Sequence, residues 1–388
     1  VTTGPGLGDV DWQPHAARLA DELAAAGKLT SPEWRAAVAA VPRHHLVPAY
    51  YQHTPGGWER IDTASEAGLA TVYSNTVLLT AVDDTGSGTV IRSSATQPGL
   101  MTRMLESLDL SDGQRVLEIG TGTGYNAALL SHRLGDDRVF SIDVEPDLLA
   151  LARERLAGLG RRPTLVAGDG AAGLPEYAPF DAVIATCAVP AVPWAWVEQT
   201  RVSGVILTDL KIAVGAGSLV RLTRLAAKHA EGRFDPVYAA FMDLRRQAGA
   251  VPERMRVRRD HAESRRCTRL DPRIPWNNLV VWFLASFALG PGIAHGYTGE
   301  DTARPPTAVW IATADGSWAE VTLSATEDGH TVAEGGPRRL WSILEDTHQQ
   351  WCDLDEPAWD RFGLSVTPGR QTLWLDHPDS EHTWPVHP

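Results

Sequence analysis

Cysteine is scarce: the 388 residues contain three, Cys187, Cys267 and Cys352, far apart and without a Cys-x-x-Cys pair. That argues against a disulfide framework or a structural zinc site and fits a reducing compartment. Long apolar runs are also missing. The longest, Leu279 to Leu289, is well short of the ~20 residues a bilayer-spanning helix needs, and reads as a buried strand or helix. No basic, apolar, small-residue leader opens the chain, Val1 reads as an alternative start codon, and a cytoplasmic location is expected. Positive charge is in deficit, with 35 Lys and Arg against 48 Asp and Glu. A net charge of −13 and a pI near 5.4 argue against a nucleic-acid or anionic-membrane partner, which needs a basic stripe. The histidines, including His44-His45 and His377, show no metal-ligand spacing, so no metal is expected.

What is present is organised around Arg115-Val-Leu-Glu118-Ile-Gly120-Thr121-Gly122-Thr-Gly124-Tyr125, followed by Asn126 to Leu130. A short apolar strand runs into a glycine turn and then into the start of a helix. Glycines let the backbone bend sharply and approach a ligand where a Cβ would block it, and the helix aims free N–H groups into the same crevice. Arg138 to Ile142 reads as a second strand ending at Asp143, about twenty residues past the glycines, where an acid accepts hydrogen bonds from ribose hydroxyls. Val144 follows it. Thr164 to Ala167 is a third strand, ending in Gly168-Asp169-Gly170, and Asp181 to Ala185 a fourth. Strands alternating with helices predict a parallel sheet that binds ligands at its carboxyl ends.

Gly122-x-Gly124-x-x-Ala127 fits a dinucleotide fingerprint in spacing but begins two residues late. The turn opens at Gly120 after Glu118, and Glu-x-Gly-x-Gly-x-Gly resembles motif I of class I S-adenosylmethionine methyltransferases. Asp143 and Asp169 fall where that family places its ribose acid and its adenine-edge acid. The resemblance implies a Rossmann-like α/β sheet and a donor site at Glu118, Gly120, Thr121, Gly122, Gly124, Asp143, Val144, Asp169 and Gly170. S-adenosyl-L-methionine is then the cofactor and S-adenosyl-L-homocysteine its product.

Before the motif, Asp11 to Ala26 has the apolar recurrence of an amphipathic helix, and Ser31-Pro32-Glu33 opens a second that stops at Pro42. Val72 to Val82 and Thr89 to Ile91 read as strands around Asp83 to Gly88. They deliver Ser93 to Gln97 as a loop, and Pro98 to Leu108 as a helix. The succession Val41-Pro-Arg43-His-His-Leu46-Val47-Pro48, Tyr73, then Ser93-Ser94-Ala-Thr96-Gln97-Pro98 ahead of motif I resembles the protein-L-isoaspartate O-methyltransferases, over residues 30 to 210. Pro179 to Thr186 matches that family's fourth-strand pattern. Ala188 to Trp194, fixed by two prolines, is expected to line the substrate side. Trp194 and Trp196 either wall the pocket or pack. Gly204 to Leu210, Leu219 to Leu225 and Val237 to Leu244 read as the last strands of the sheet.

Composition changes near Arg245, and nine of the 14 tryptophans lie beyond it. A hairpin at Ala308 to Leu323, a helix at Pro337 to Cys352 and a strand pair at Gly363 to Leu375 predict an additional α+β domain. The expected division is an N-terminal helical cap region over 1–90, a methyltransferase domain over 91–245 and a peptide-recognition domain over 246–388. Basic residues cluster from Arg245 to Arg273, among them Arg254, Arg256, Arg258, Arg259, Arg265 and Arg266. They read as a solvated linker or as a surface for an acidic peptide.

Methyl transfer from a sulfonium is an in-line displacement, and a carboxylate acceptor is already ionised at neutral pH, so no general base is required. Orientation and exclusion of water suffice. Hydroxyls of Ser93, Ser94 or Thr96 are the candidates for orienting the acceptor; the competing reading is that they cap the helix at Pro98. The resemblance implies a methyl ester on aspartate or isoaspartate that collapses to a succinimide. Family members with a long carboxyl-terminal extension resemble those in clusters for ribosomally made, modified peptides such as graspetides and lanthipeptides. On that resemblance the expected substrate is an Asp of a modified, macrocyclic precursor peptide, which would be converted to aspartimide. The alternatives are isoaspartate repair, a small-molecule O-methyltransferase, and a binding protein on an inactive fold.

Overall fold

In the computed structural model, residues 11–84, 89–249, 261–290, 292–299 and 305–387 are described, and their strands form three sheets. Two amphipathic helices come first. Gln13–Ala25 buries Ala16, Leu19, Ala20 and Leu23, and Pro32–Ala40 starts where Ser31 Oγ accepts from Trp34 N. Both sit on the helical side of the first core. The first sheet is antiparallel: β1 (Ala49–Thr54), β2 (Gly57–Asp62), β3 (Leu78–Asp84) and β4 (Thr89–Ala95), in the order β2-β1-β3-β4.

Two expectations change here. Glu66–Val72 is a helix capped by Ser65, and the strand begins only at Leu78. Ser93 to Ala95 belong to β4 rather than to a loop, with Ser93 and Ala95 buried on one face. The predicted turn at Asp83 to Gly88 lies partly outside the described residues, as do Arg254, Arg256, Arg258 and Arg259.

The large sheet carries the expected parallel strands β5 (Val116–Ile119), β6 (Val139–Asp143), β7 (Thr164–Ala167) and β8 (Phe180–Val189). β5 lies between β6 and β8, and all four of its side chains are buried. That is why it is apolar on both faces apart from Glu118. β9 (Thr200–Ala213) joins β8 in parallel, and β10 (Ala216–Ala226) and β11 (His229–Phe234) follow as an antiparallel meander.

Val237 to Leu244 is not a strand of this sheet. β11 takes the place beside β10, and the segment that follows crosses the carboxyl ends of the strands, its backbone joined to the ladder by a bridge between Ala188 and Asp243.

Beyond it, β12 (Ser264–Thr268), β13 (Ala294–Thr298), β14 (Ala308–Ala312), β15 (Trp318–Thr326) and β16 (Gly329–Gly335) form a five-stranded antiparallel sheet. The apolar run is helix Leu279–Leu289. It is buried nearly all round, packed between β9 and β10 on one side and helix Leu340–Asp353 on the other.

The last three strands, β17 (Phe362–Thr367), β18 (Arg370–Leu375) and β19 (Thr383–Val386), return to the large sheet. β17 pairs with β11, so the order is β19-β18-β17-β11-β10-β9-β8-β5-β6-β7. One sheet thus runs across residue 245, where the composition changes.

Candidate active site

The floor of the site is the turn between β5 and helix Tyr125–Leu134. Gly120 has φ +94°, and a Cβ there would stand 2.7 Å from Thr186 Oγ1, closer than packed atoms approach. The Thr186 hydroxyl donates to the carbonyls of Ile119 at 3.1 Å and Gly120 at 2.9 Å, fixing the bend from β8. Gly122 N donates to Asp143 Oδ2 at 2.8 Å, and Asp143 Oδ1 accepts from Glu145 N at 3.0 Å. Each carboxylate oxygen keeps a further lone pair, and Asp143 lines the open cleft above.

Glu118 is fully buried beneath this turn. The β5–β6 register sets it opposite Ser141. Ser141 Oγ donates to Glu118 Oε2 at 2.5 Å and Asn126 Nδ2 donates to Oε1 at 2.8 Å. Thr121 Oγ1 and Ser141 Oγ lie 2.7 Å apart, so the Thr121 hydroxyl completes the chain by donating to Ser141. Burial pushes the Glu118 carboxyl up to about 7, against the two hydrogen bonds that favour its charged form. Neither Ser141 nor Asn126 is marked by the sequence motif; both are found only once the register is known.

Above the turn opens a cleft of about 760 Å³. It gathers Ser93, Ser94, Thr96, Glu118, Gly120, Thr121, Gly122, Asp143, Val144 and Gly170 on one wall system. Two anticipated residues stand aside. Gly124, with φ +85°, starts the helix and packs against Leu156. Asp169 is outside the lining: its Oδ1 accepts from Ala171 N and its Oδ2 from Arg246 Nε, each at 2.9 Å.

Ser93 is buried, and its Oγ accepts from Thr80 Oγ1 at 3.0 Å beside Gly122. Ser94 and Thr96 face the cleft half-buried. Neither caps the next helix, Pro98–Ser107, whose N-terminus has no side-chain cap from Gln97. Asn75 does that instead, its Oδ1 accepting from Gly99 N at 2.8 Å while Gln97 Nε2 donates to Asn75 O at 2.9 Å.

Arg43, wholly buried, locks the same corner. Its guanidinium donates to the carbonyls of Val72 (2.8 Å), Ser74 (3.3 Å) and Thr96 (3.1 Å) and lies over the Tyr125 ring. Burial lowers its pKa from the usual arginine value.

The far wall is the segment 237–245, whose role sequence reasoning missed. Asp209, buried on β9, accepts from Phe241 N at 2.8 Å through Oδ2, and its Oδ1 has no partner among the described residues. Burial raises its carboxyl to about 6. Ala188 N donates to Met242 O at 2.8 Å and Leu244 N to Ala188 O at 2.7 Å. Arg245 closes the span, paired with the buried Glu145 carboxylate and donating to Arg92 O at 2.7 Å. Arg245 is therefore engaged at the cleft, Arg246 pairs with Asp169 outside it, and Arg266 pairs with Glu345 at 2.7 Å, while Arg265 is exposed. No local signal identifies Asp209, because its partner amide is 32 residues away.

The proline-fixed loop Ala188–Trp194 does not line the substrate side beyond its neighbours Thr186 and Cys187. Gln371 of β18 pins it, accepting from Val192 N at 3.0 Å and donating to Val192 O at 2.7 Å. Trp196 packs: it is fully buried, and its Nε1 donates to Gly170 O at 2.8 Å. Among the described residues, no group of three or more His, Cys, Asp or Glu side chains is arranged to hold a metal ion. No helix there is long and apolar enough to cross a membrane.

Comparison with known proteins gives a consistent result. Residues 15–233 match the family described as Protein-L-isoaspartate(D-aspartate) O-methyltransferase. The chain is similar to the protein-L-isoaspartate O-methyltransferase of Xanthobacter autotrophicus, 39% identical over 145 residues, which cover 37% of this chain and 65% of that one. It is also similar to that of Ignicoccus hospitalis, 31% identical over 228 residues, 58% of this chain and 95% of that one. A solved protein-L-isoaspartate O-methyltransferase shares the fold at a TM-score of 0.53 and 20% identity, over 93% of this chain and 99% of its own. That likeness runs through the carboxyl-terminal part, which therefore does not by itself set this chain apart from a protein of that name.

Proposed function

Because the chain belongs to the protein-L-isoaspartate(D-aspartate) O-methyltransferase family, we propose that it methylates the free carboxylate of an isoaspartyl residue in a peptide or protein, using S-adenosyl-L-methionine. The observation that supports this best is the juxtaposition in one cleft of the glycine turn with Asp143 and the half-buried hydroxyls of Ser94 and Thr96. The bound donor supplies an electrophilic methyl group.

The chain's own residues do the rest. The bend at Gly120 gives backbone close enough to cradle a ligand, and the spare lone pairs of Asp143 suit a pair of ribose hydroxyls. Ser94 and Thr96 donate to one carboxylate oxygen and leave the other free to attack, so that no base is needed. Apolar walls from Leu79, Leu100 and Met101 keep water from the reacting pair. Methanol leaves from the ester more readily than hydroxide from the acid, so attack of the next backbone amide nitrogen on the ester carbonyl breaks the C–OCH3 bond, expels methanol and closes a succinimide.

A second reading keeps the chemistry and changes the substrate to an aspartate in a ribosomally made, macrocyclic peptide. One contact bears on it: Tyr238, which lines the cleft, lies 6.3 Å, ring to ring, from Trp359 of the carboxyl-terminal part. That part therefore braces one residue of the lining from outside the cleft.

The test is incubation with methyl donor and three peptides, a linear isoaspartyl peptide, its aspartyl counterpart and a side-chain-cyclised aspartyl peptide, followed by mass spectrometry. Methyl gain and then methanol loss on the isoaspartyl peptide supports the first reading. The same on the cyclised peptide alone supports the second. No transfer to any of the three sinks both.

A further inference from the structure

The mouth of the cleft differs from its floor. Among the described residues, nine large hydrophobic side chains are exposed, and five of them, Val77, Ile91, Val237, Tyr238 and Met242, line this one cleft. Single exposed apolar side chains are ordinary, whereas a cluster around a cavity marks a binding surface.

The five come from two opposed structures. Val77 immediately precedes β3 and Ile91 lies in β4; Val237, Tyr238 and Met242 stand on the crossing segment. That segment is held at several points besides Asp209. Ser218 Oγ accepts from Ala239 N at 3.2 Å, and Lys211 Nζ donates to Phe241 O at 2.5 Å while pairing with Asp243 at 2.7 Å. The exposed side chains are thus presented on a fixed backbone, which lowers the ordering cost of binding.

A second observation concerns charge. Lys28 and Arg103 also line the cleft. Arg103 is ion-paired with Asp235, Nε to Oδ2 at 3.7 Å, while its buried Nε and Nη2 make no hydrogen bond among the described residues. The Arg103 side chain stays about a quarter exposed beside the cleft, so its guanidinium can also meet an anionic group of a ligand.

We propose that the mouth selects a peptide segment with bulky apolar side chains beside the acceptor residue and a carboxylate placed for Arg103 and Lys28. Its occupant is the substrate chain itself, because any peptide that carries its acceptor to Ser94 and Thr96 must cross this rim. The inference deepens the isoaspartyl reading, and it is tested through binding so that the two can fail separately.

The experiment measures binding of fluorescein-labelled isoaspartyl peptides by anisotropy, with S-adenosyl-L-homocysteine present, and methyl transfer in parallel. The peptides have Ala, Leu or Phe on either side of the acceptor, with a distal Glu or Lys. The expected result is about tenfold tighter binding for Leu or Phe over Ala, and a preference for Glu over Lys. Val237→Ser with Met242→Ser should remove the first preference, and Arg103→Gln the second. Equal affinity across the wild-type panel, or preferences that survive these substitutions, would overturn the proposal. So would a concentration-dependent dimer, broken by Val237→Asp, in a protein that shows no flank preference; it would assign the patch to a second copy. Flank-selective binding without methyl transfer would uphold the mouth and sink the reaction.

Discussion

Asn75 holds the N-terminus of the helix that begins at Pro98, its Oδ1 accepting from Gly99 N at 2.8 Å. The capping duty that Ser94 or Thr96 would otherwise serve is thereby taken by a residue from another segment. The two hydroxyls are not spent on that helix, and both line the cleft.

This divides stability from activity. Asn75→Ala should cost about 1 kcal/mol in urea denaturation, the usual effect of losing a helix cap. Ser94→Ala and Thr96→Ala should leave the denaturation midpoint nearly unchanged. Each should lower kcat/KM for an isoaspartyl peptide by about tenfold or more, as loss of an orienting donor does. Loss of stability without loss of activity in the hydroxyl variants would show that they serve the fold.

Arg43 is expected to be among the costliest positions in the chain. Arg43→Met keeps much of the volume but leaves the carbonyls of Val72, Ser74 and Thr96 without their donor. At about 1–3 kcal/mol for each buried group left unsatisfied, the variant should lose about 3 kcal/mol or more. Thermal or urea unfolding measures this directly.

Two buried carboxyls predict how stability depends on pH. Glu118 is raised to about 7 and Asp209 to about 6, both chiefly by burial. Folded-state values above the unfolded ones mean that the native protein binds the protons more tightly. Their stabilising contribution is complete below the ordinary carboxylate range and is lost as pH rises through about 6 for Asp209 and about 7 for Glu118. Glu118→Gln and Asp209→Asn should each flatten part of that decline in denaturation series between pH 4 and 8. The amide introduced by Glu118→Gln is not expected to break the site, because Ser141 Oγ can accept from it and donate to Thr121 instead. Unchanged pH profiles in both variants would remove these groups as the cause.

The parts of this architecture visible in the sequence are those with local causes. The short apolar run of β5, the three glycines after it and the acid ending β6 each follow from a few adjacent residues. The residues that complete the site depend on distant pairing. Ser141 meets Glu118 only through strand register, and Asn75 reaches Gly99 across 24 positions. Val237 to Leu244 has the apolar pattern of a strand, yet its backbone is held by Asp209, Ser218 and Ala188. The sheet position it was expected to fill belongs to β11, whose polar alternation, His229-Ala-Glu-Gly-Arg-Phe234, gave weak warning. The change of composition near residue 245 marks an additional unit, present as the five-stranded sheet, whereas the pairing of β11 with β17, which ties the end of the chain to the large sheet, joins residues more than a hundred positions apart and has no local signal.

The central claim is that the glycine turn and Asp143 hold a methyl donor beside a peptide carboxylate. Its most direct test is methyl incorporation into an isoaspartyl peptide by wild type and Asp143→Ala, measured across a range of donor concentrations. Wild type should form the ester, and Asp143→Ala should need at least about tenfold more donor to reach half its maximal rate, the loss of a charged hydrogen-bonding partner. No ester from wild type, or an unchanged donor requirement in Asp143→Ala, would contradict the account.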